Sequence, residues 1–127
     1  MSFRTPLSQA RGLGSAKHGV GHWLSERVAA VALVPLVLWA VYSVLVLAKM
    51  DYLEASQWIS NPLNATLMIL TIAISFMHMQ SGVRVIIEDY IYSHLNKAFA
   101  LLLNLFVSGA AGALAVMSIL KVALGGA

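Results

Sequence analysis

The chain has 127 residues, 60% of them hydrophobic and only 10% charged, and its mean hydropathy of +0.83 excludes an ordinary soluble domain. There is room for three membrane spans and their loops, and none for a soluble catalytic domain besides. The net charge of +3 does not point to nucleic acid, because the basic residues are scattered rather than gathered in a patch, and the absence of cysteine removes disulfides, iron-sulfur ligation by this chain and c-type haem attachment.

Residues 1–27 are polar, glycine-containing and basic, with Arg4, Arg11, Lys17 and Arg27 against the single acid Glu26. The apolar run that follows starts too late and is too long for a signal peptide, so an uncleaved tail on one membrane face is expected. Residues 28–48 carry no charge over 21 positions, enough at about 1.5 Å per residue to cross a hydrocarbon layer of roughly 30 Å. This is the first predicted span, mildly bent at Pro35. Trp39 and Tyr42 belong either at its far interface or, for Trp39, against a partner.

Residues 49–62 read as a short external connection holding Asp51, Tyr52, Glu54 and Trp58, closed by the turn or helix-start signal Asn61-Pro62. The second span is predicted over 63–87, uncharged from Leu63 to Val83 but containing Thr66, Thr71, Ser75, His78, Gln80 and Ser81. Such a helix is expected to turn its polar side to protein rather than lipid. Residues 88–97 form the second connection, 98–120 the third span and 121–127 a carboxyl tail. Within the third span, Ser108 with Gly112 and Gly109 with Ala113 follow the small-xxx-small pattern that lets helices approach closely. The predicted fold class is therefore an all-α, three-span membrane protein.

Three spans put the tail and the second connection on one side. That side holds Arg4, Arg11, Lys17, Arg27, Arg84 and Lys97, against Lys49 and Lys121 on the other. By the positive-inside rule the amino terminus faces the cytoplasm, or the matrix of a mitochondrion.

His78 is the residue the rest is read around. An ionisable side chain inside a span is costly unless it is paired or bound to a metal. Three readings meet that cost: an internal hydrogen bond, a proton path with Glu88 and Asp89, or ligation of haem iron. At about 100° per residue Gly82, Val85 and Asp89 fall within roughly 40° of His78 on one stripe, which leaves clearance for a large flat ligand. Only one histidine lies deep in a span, so a second axial ligand would have to come from another chain. Arg27 at the lip of the first span suits a carboxylate such as a haem propionate, or a phospholipid anchor. Tyr90 beside Asp89 suits either a quinone carbonyl or an ordinary interface. His18 and His94 read as surface residues without a role.

Gly14-Ser15-Ala16-Lys17-His18, then His22-Trp23-Leu24-Ser25-Glu26-Arg27-Val28, and His78 followed by Gly82 and the Asp89-Tyr90 pair, closely resemble the small hydrophobic membrane-anchor (cytochrome b) subunit of succinate dehydrogenase, respiratory complex II. The likeness covers nearly the whole chain, with its basic tail and three spans in the same order.

The resemblance implies a complex in the bacterial inner membrane or the mitochondrial inner membrane, whose flavoprotein subunit holds FAD, whose iron-sulfur subunit holds the clusters, and whose larger cytochrome b anchor pairs with this chain. The amino terminus would then be cytoplasmic and the three spans half of a two-subunit haem-binding bundle. Carried over by position, His78 matches an axial ligand of haem b and Arg27 the arginine near the haem propionates and the quinone pocket. His22 matches a histidine at the same end, a further candidate for the propionates. Tyr90 matches the tyrosine that hydrogen-bonds ubiquinone, with Asp89 beside it. The chain alone is implied to be non-catalytic. The superfamily also includes fumarate reductases and members without haem, for which a purely structural anchor or a proton path remains the alternative.

Overall fold

A computed structural model describes residues 5, 7 and 19–125. Among them the chain is helical throughout, as α1 (Gly19–Leu47), α2 (Tyr52–Ser60), α3 (Pro62–Tyr90) and α4 (His94–Ala123). Helices α1, α3 and α4 have 29, 29 and 30 residues, and each is long and apolar enough to cross a membrane. At about 1.5 Å per residue each exceeds a hydrocarbon layer of roughly 30 Å, so their ends reach into the interfaces.

Local chemistry explains where the helices begin and end. Asp51 caps α2 by accepting from the Glu54 amide at 2.8 Å, while Glu54 accepts from the Asp51 amide at 3.2 Å, the reciprocal pair of a capping box. Asn61 then ends α2 and starts α3, its side chain accepting from the Leu63 amide at 3.0 Å with Pro62 in the first turn. Further along α3, Arg84 and Glu88 pair at 2.7 Å across one turn, which supports the helix through its first charged residues.

Helix bounds and uncharged runs therefore differ. Helix α1 already exists at Gly19, ahead of the run that starts at residue 28, and α3 continues to Tyr90. The connection expected over 49–62 contains α2, and only Ile91, Tyr92 and Ser93 separate α3 from α4. Trp39, for which two environments were open, stacks on Trp58 of α2 with ring centroids 6.0 Å apart.

Helix α3 lies in the middle. It packs most extensively against α4 and also against α1, while no comparable contact joins α1 to α4. Gln80 and Glu88 of α3 accept hydrogen bonds from Asn104 and Lys97 of α4. A Cβ at Gly112 would come within 3.3 Å of the Phe76 side chain. As the α3 number rises the α4 number falls, so the two helices run antiparallel.

Little is buried. Ala65 and Ile119 are the buried apolar residues and Ser43 and Ser108 the buried polar ones among those described, whereas residues such as Val31, Leu38 and Phe106 are exposed. An apolar exterior suits hydrocarbon, in which association rests on close packing and interhelical hydrogen bonds. The span hydroxyls do not need a protein face either. Ser43, Thr66, Thr71 and Ser118 each donate to the carbonyl one turn earlier, at 2.7 to 2.8 Å.

Candidate functional site

His78 sits near the middle of α3. The residues that meet α4 lie elsewhere on that helix: Phe76 and Gln80 are both about 160° around from His78 at 100° per residue. The imidazole accordingly faces away from α4. It lines an apolar groove of about 420 Å³ with Ala30, Leu33, Val34, Val37 and Leu38 of α1.

His78 is exposed within the single chain, and among the described residues its ring has no hydrogen-bond partner. The polar side of α3 is thus not wholly turned inward, because α4 occupies the opposite face. One turn on, a Cβ at Gly82 would meet nothing within 4 Å. An imidazole and an apolar wall thus border the groove, and the surface of α3 one turn on from the imidazole is open.

Arg27 belongs to the same region. Seven residues and about 20° separate it from Val34 around α1, which places it roughly 10 Å along the axis on the groove side. Its guanidinium lies over the Trp23 ring, 5.6 Å from the centroid, a cation–π contact that fixes the side chain's direction. Four residues separate the two, the helical spacing that brings side chains together, so the pair was legible in Trp23-Leu24-Ser25-Glu26-Arg27. His22 lies in α1 too, but its side chain, like the whole of Gly14 to His18 and the rest of the basic tail apart from Thr5 and Leu7, is outside the described residues.

Asp89 and Tyr90 are the last two residues of α3, both exposed, Tyr90 to 78%. Asp89 is about 16 Å along the helix from His78. No hydrogen bond or ion pair joins His78, Arg27, Asp89 and Tyr90 to one another among the described residues. The structure therefore leaves Arg27 roughly 10 Å along α1 from the wall that His78 faces, and Asp89 and Tyr90 at the end of α3. Lys97 was not singled out in the sequence; its ammonium donates to the Glu88 carbonyl at 2.8 Å, just before that pair.

The donor set discriminates between kinds of metal site. Among the described residues no three His, Cys, Asp or Glu side chains gather to hold an ion, so a protein-only cage is not offered here. A porphyrin supplies four equatorial nitrogens itself and needs the protein only on its axis. One imidazole without an internal partner, against an aliphatic wall and beside a glycine, fits that requirement.

Comparison with known proteins bears on the whole chain. Residues 1–120 match the succinate dehydrogenase/fumarate reductase transmembrane subunit family. A succinate dehydrogenase hydrophobic membrane anchor subunit of Rickettsia conorii is 34% identical over 106 residues, 82% of this chain and 84% of the relative. That of Rickettsia bellii is 35% identical over 89 residues, 70% and 71% of the two chains, and that of Paracoccus denitrificans 30% identical over 128 residues, 98% and 96%. No solved structure matches. With three membrane-crossing helices in a chain matched nearly end to end, the protein is a multi-pass membrane protein that belongs to the succinate dehydrogenase/fumarate reductase transmembrane subunit family.

Proposed function

We propose that this chain is the smaller membrane anchor of a succinate dehydrogenase in the bacterial cytoplasmic membrane or its mitochondrial counterpart. There it docks the flavoprotein and iron-sulfur subunits, pairs with a larger cytochrome b anchor and helps to bind haem b and ubiquinone. The observation that carries this reading is the His78 imidazole, which has no hydrogen-bond partner among the described residues and faces an aliphatic groove at membrane depth. A polar group so placed requires completion from outside the chain.

Haem b, when bound, supplies a one-electron carrier. His78 would be this chain's ligand to the haem iron, and the larger anchor would complete the site. Arg27, fixed by Trp23, would pair with a propionate carboxylate or shape the quinone pocket, and His22 is a second candidate for the propionates. Gly82 leaves the space beside the imidazole open.

Reduction of ubiquinone to ubiquinol consumes two electrons and two protons. Electrons come from the iron-sulfur subunit. Tyr90 would donate a hydrogen bond to one quinone carbonyl, and Asp89, exposed at the same helix end, would pass protons in from water. The amino terminus, Arg27 and Tyr90 would then lie on the cytoplasmic or matrix side, in keeping with the positive charge there. The chain contributes docking, orientation and hydrogen bonding, and the redox chemistry belongs to the cofactors.

The test is a visible spectrum of the purified complex. The intact complex should show a low-spin b-type haem of bis-histidine character, and His78→Ala should weaken or abolish it. An unchanged haem spectrum would remove the ligand assignment and leave a purely structural anchor or a proton path.

A further inference from the structure

The last carbonyls of a helix have no amide of their own helix to accept from. In α3 the Ile91 amide donates to the Ile87 carbonyl at 3.1 Å, and the Glu88 carbonyl follows it in the last turn. Lys97 reaches across from α4 and donates its ammonium to that carbonyl at 2.8 Å.

Its position in α4 makes this choice of residue informative. Lys97 lies in the first turn of α4, where a cation meets the positive end of the helix dipole, whereas at the end of α3 it meets the negative end. Its ammonium is oriented to serve α3 rather than its own helix. Lys97 is half-buried although its neighbours Leu95, Asn96 and Ala98 are exposed. Arg84 meanwhile holds the Glu88 side chain at 2.7 Å. Glu88 is thus gripped at backbone and side chain immediately before Asp89 and Tyr90. The linker beyond is short and extended, with φ of −104° at Ile91 and −70° at Ser93.

We infer that Lys97 is a positioning residue for the Asp89-Tyr90 pair: by tying the end of α3 to the start of α4 it sets where the Tyr90 hydroxyl is presented to a quinone. This rests on the quinone reading of Tyr90 given above.

The experiment uses the purified complex with Lys97→Met, Lys97→Gln, Lys97→Arg, Tyr90→Phe and the double variant Lys97→Met/Tyr90→Phe. Each is assayed for succinate:quinone reduction with a short-chain ubiquinone, and for succinate oxidation by a soluble dye. Loss of a charge-assisted hydrogen bond should raise the KM for quinone about ten-fold in Lys97→Met, while kcat and the dye activity change less than about two-fold. Lys97→Arg should restore the KM to within about three-fold, since a guanidinium can donate to the same carbonyl. In the Tyr90→Phe background the Lys97→Met change should add little, because both act through one hydroxyl.

An unchanged KM in Lys97→Met, or its full effect persisting without the Tyr90 hydroxyl, overturns the inference. If Lys97→Met fails to assemble, Lys97→Gln decides in its place: a raised KM supports the role and an unchanged one overturns it. When Tyr90→Phe alters quinone kinetics and neither Lys97 variant does, only the positioning role fails. When Tyr90→Phe itself changes nothing, the quinone reading fails and the role of Lys97 falls with it.

Discussion

The two sides of α3 solve the same problem in opposite ways. Towards α4, polar groups close on one another: Asn104 donates to the Gln80 carbonyl at 2.9 Å, Ser108 donates to the Asn104 side chain at 3.2 Å, and Phe76 fills the space at Gly112. Towards α1, His78 has no partner among the described residues and Gly82 no neighbour. Membrane-buried polarity is costly on both sides. On the α4 side the polar groups are finished by partners within the chain, although an apolar pocket of about 490 Å³ remains between the two helices; on the α1 side the imidazole is left to be finished by a partner from outside it.

Filling the unfinished side should give the largest effect. Gly82→Phe places a ring where a Cβ meets nothing within 4 Å, so the chain's own packing should tolerate it, while the open surface beside His78 is lost. We expect the haem-to-protein ratio of the purified complex to fall to a small fraction of wild type, with succinate oxidation by a soluble dye retained. Full haem occupancy in this variant would break the contrast, since the open space would then not be where the ligand lies.

Overfilling the finished side should cost less and in a different currency. At Gly112 an added Cβ would lie 3.3 Å from two atoms of Phe76, tighter than ordinary van der Waals contact. Gly112→Leu should therefore destabilise the α3–α4 pair by about 1–3 kcal/mol, the usual range for overpacking. It should be read as earlier thermal loss of this subunit from the detergent-solubilised complex. Gly109 is the internal control: a Cβ there meets nothing within 4 Å, so Gly109→Ala should leave that thermal profile unmoved.

That contrast between two glycines three positions apart also marks how far the sequence could be read. Both small-xxx-small pairs are visible in residues 108–113, yet of the two glycines only Gly112 lies close against an α3 side chain; periodicity gives a helix face, not which neighbour will cover it. The same limit hid the direction of His78, whose depth in an uncharged run was plain but whose orientation depends on α4 taking the Phe76-Gln80 face. Helix ends were obscured for another reason. Absence of charge reports hydrocarbon, whereas a helix can run on past its uncharged stretch, as α3 does through the Arg84–Glu88 ion pair. The Asn61-Pro62 start was legible because the capping side chain and the proline are local chemistry. Lys97 was not, because the carbonyl it serves belongs to another helix.

The smallest effect tests whether the finished side is held by its hydrogen bonds or by its fit. Asn104→Leu removes the donor to the Gln80 carbonyl, and the immediate expectation is a large loss in a medium without water. The backbone argues otherwise. Gln80 lies inside α3, so its carbonyl already serves the helix and is not orphaned when Asn104 is replaced. Ser108, which donates to Asn104, has the carbonyl one turn earlier within reach, as the other span hydroxyls show. With nothing left unsatisfied, the expected cost is only about 0.6 kcal/mol, the average for interhelical hydrogen bonds between membrane helices, and well below that of Gly112→Leu. Thermal release of the subunit from the two variant complexes, measured side by side, ranks them. If Asn104→Leu proved the more damaging, polar closure rather than the seating of Phe76 against Gly112 would be what joins α3 to α4, and the two sides of α3 would differ less in kind than in whether the hydrogen-bond partner is part of the chain.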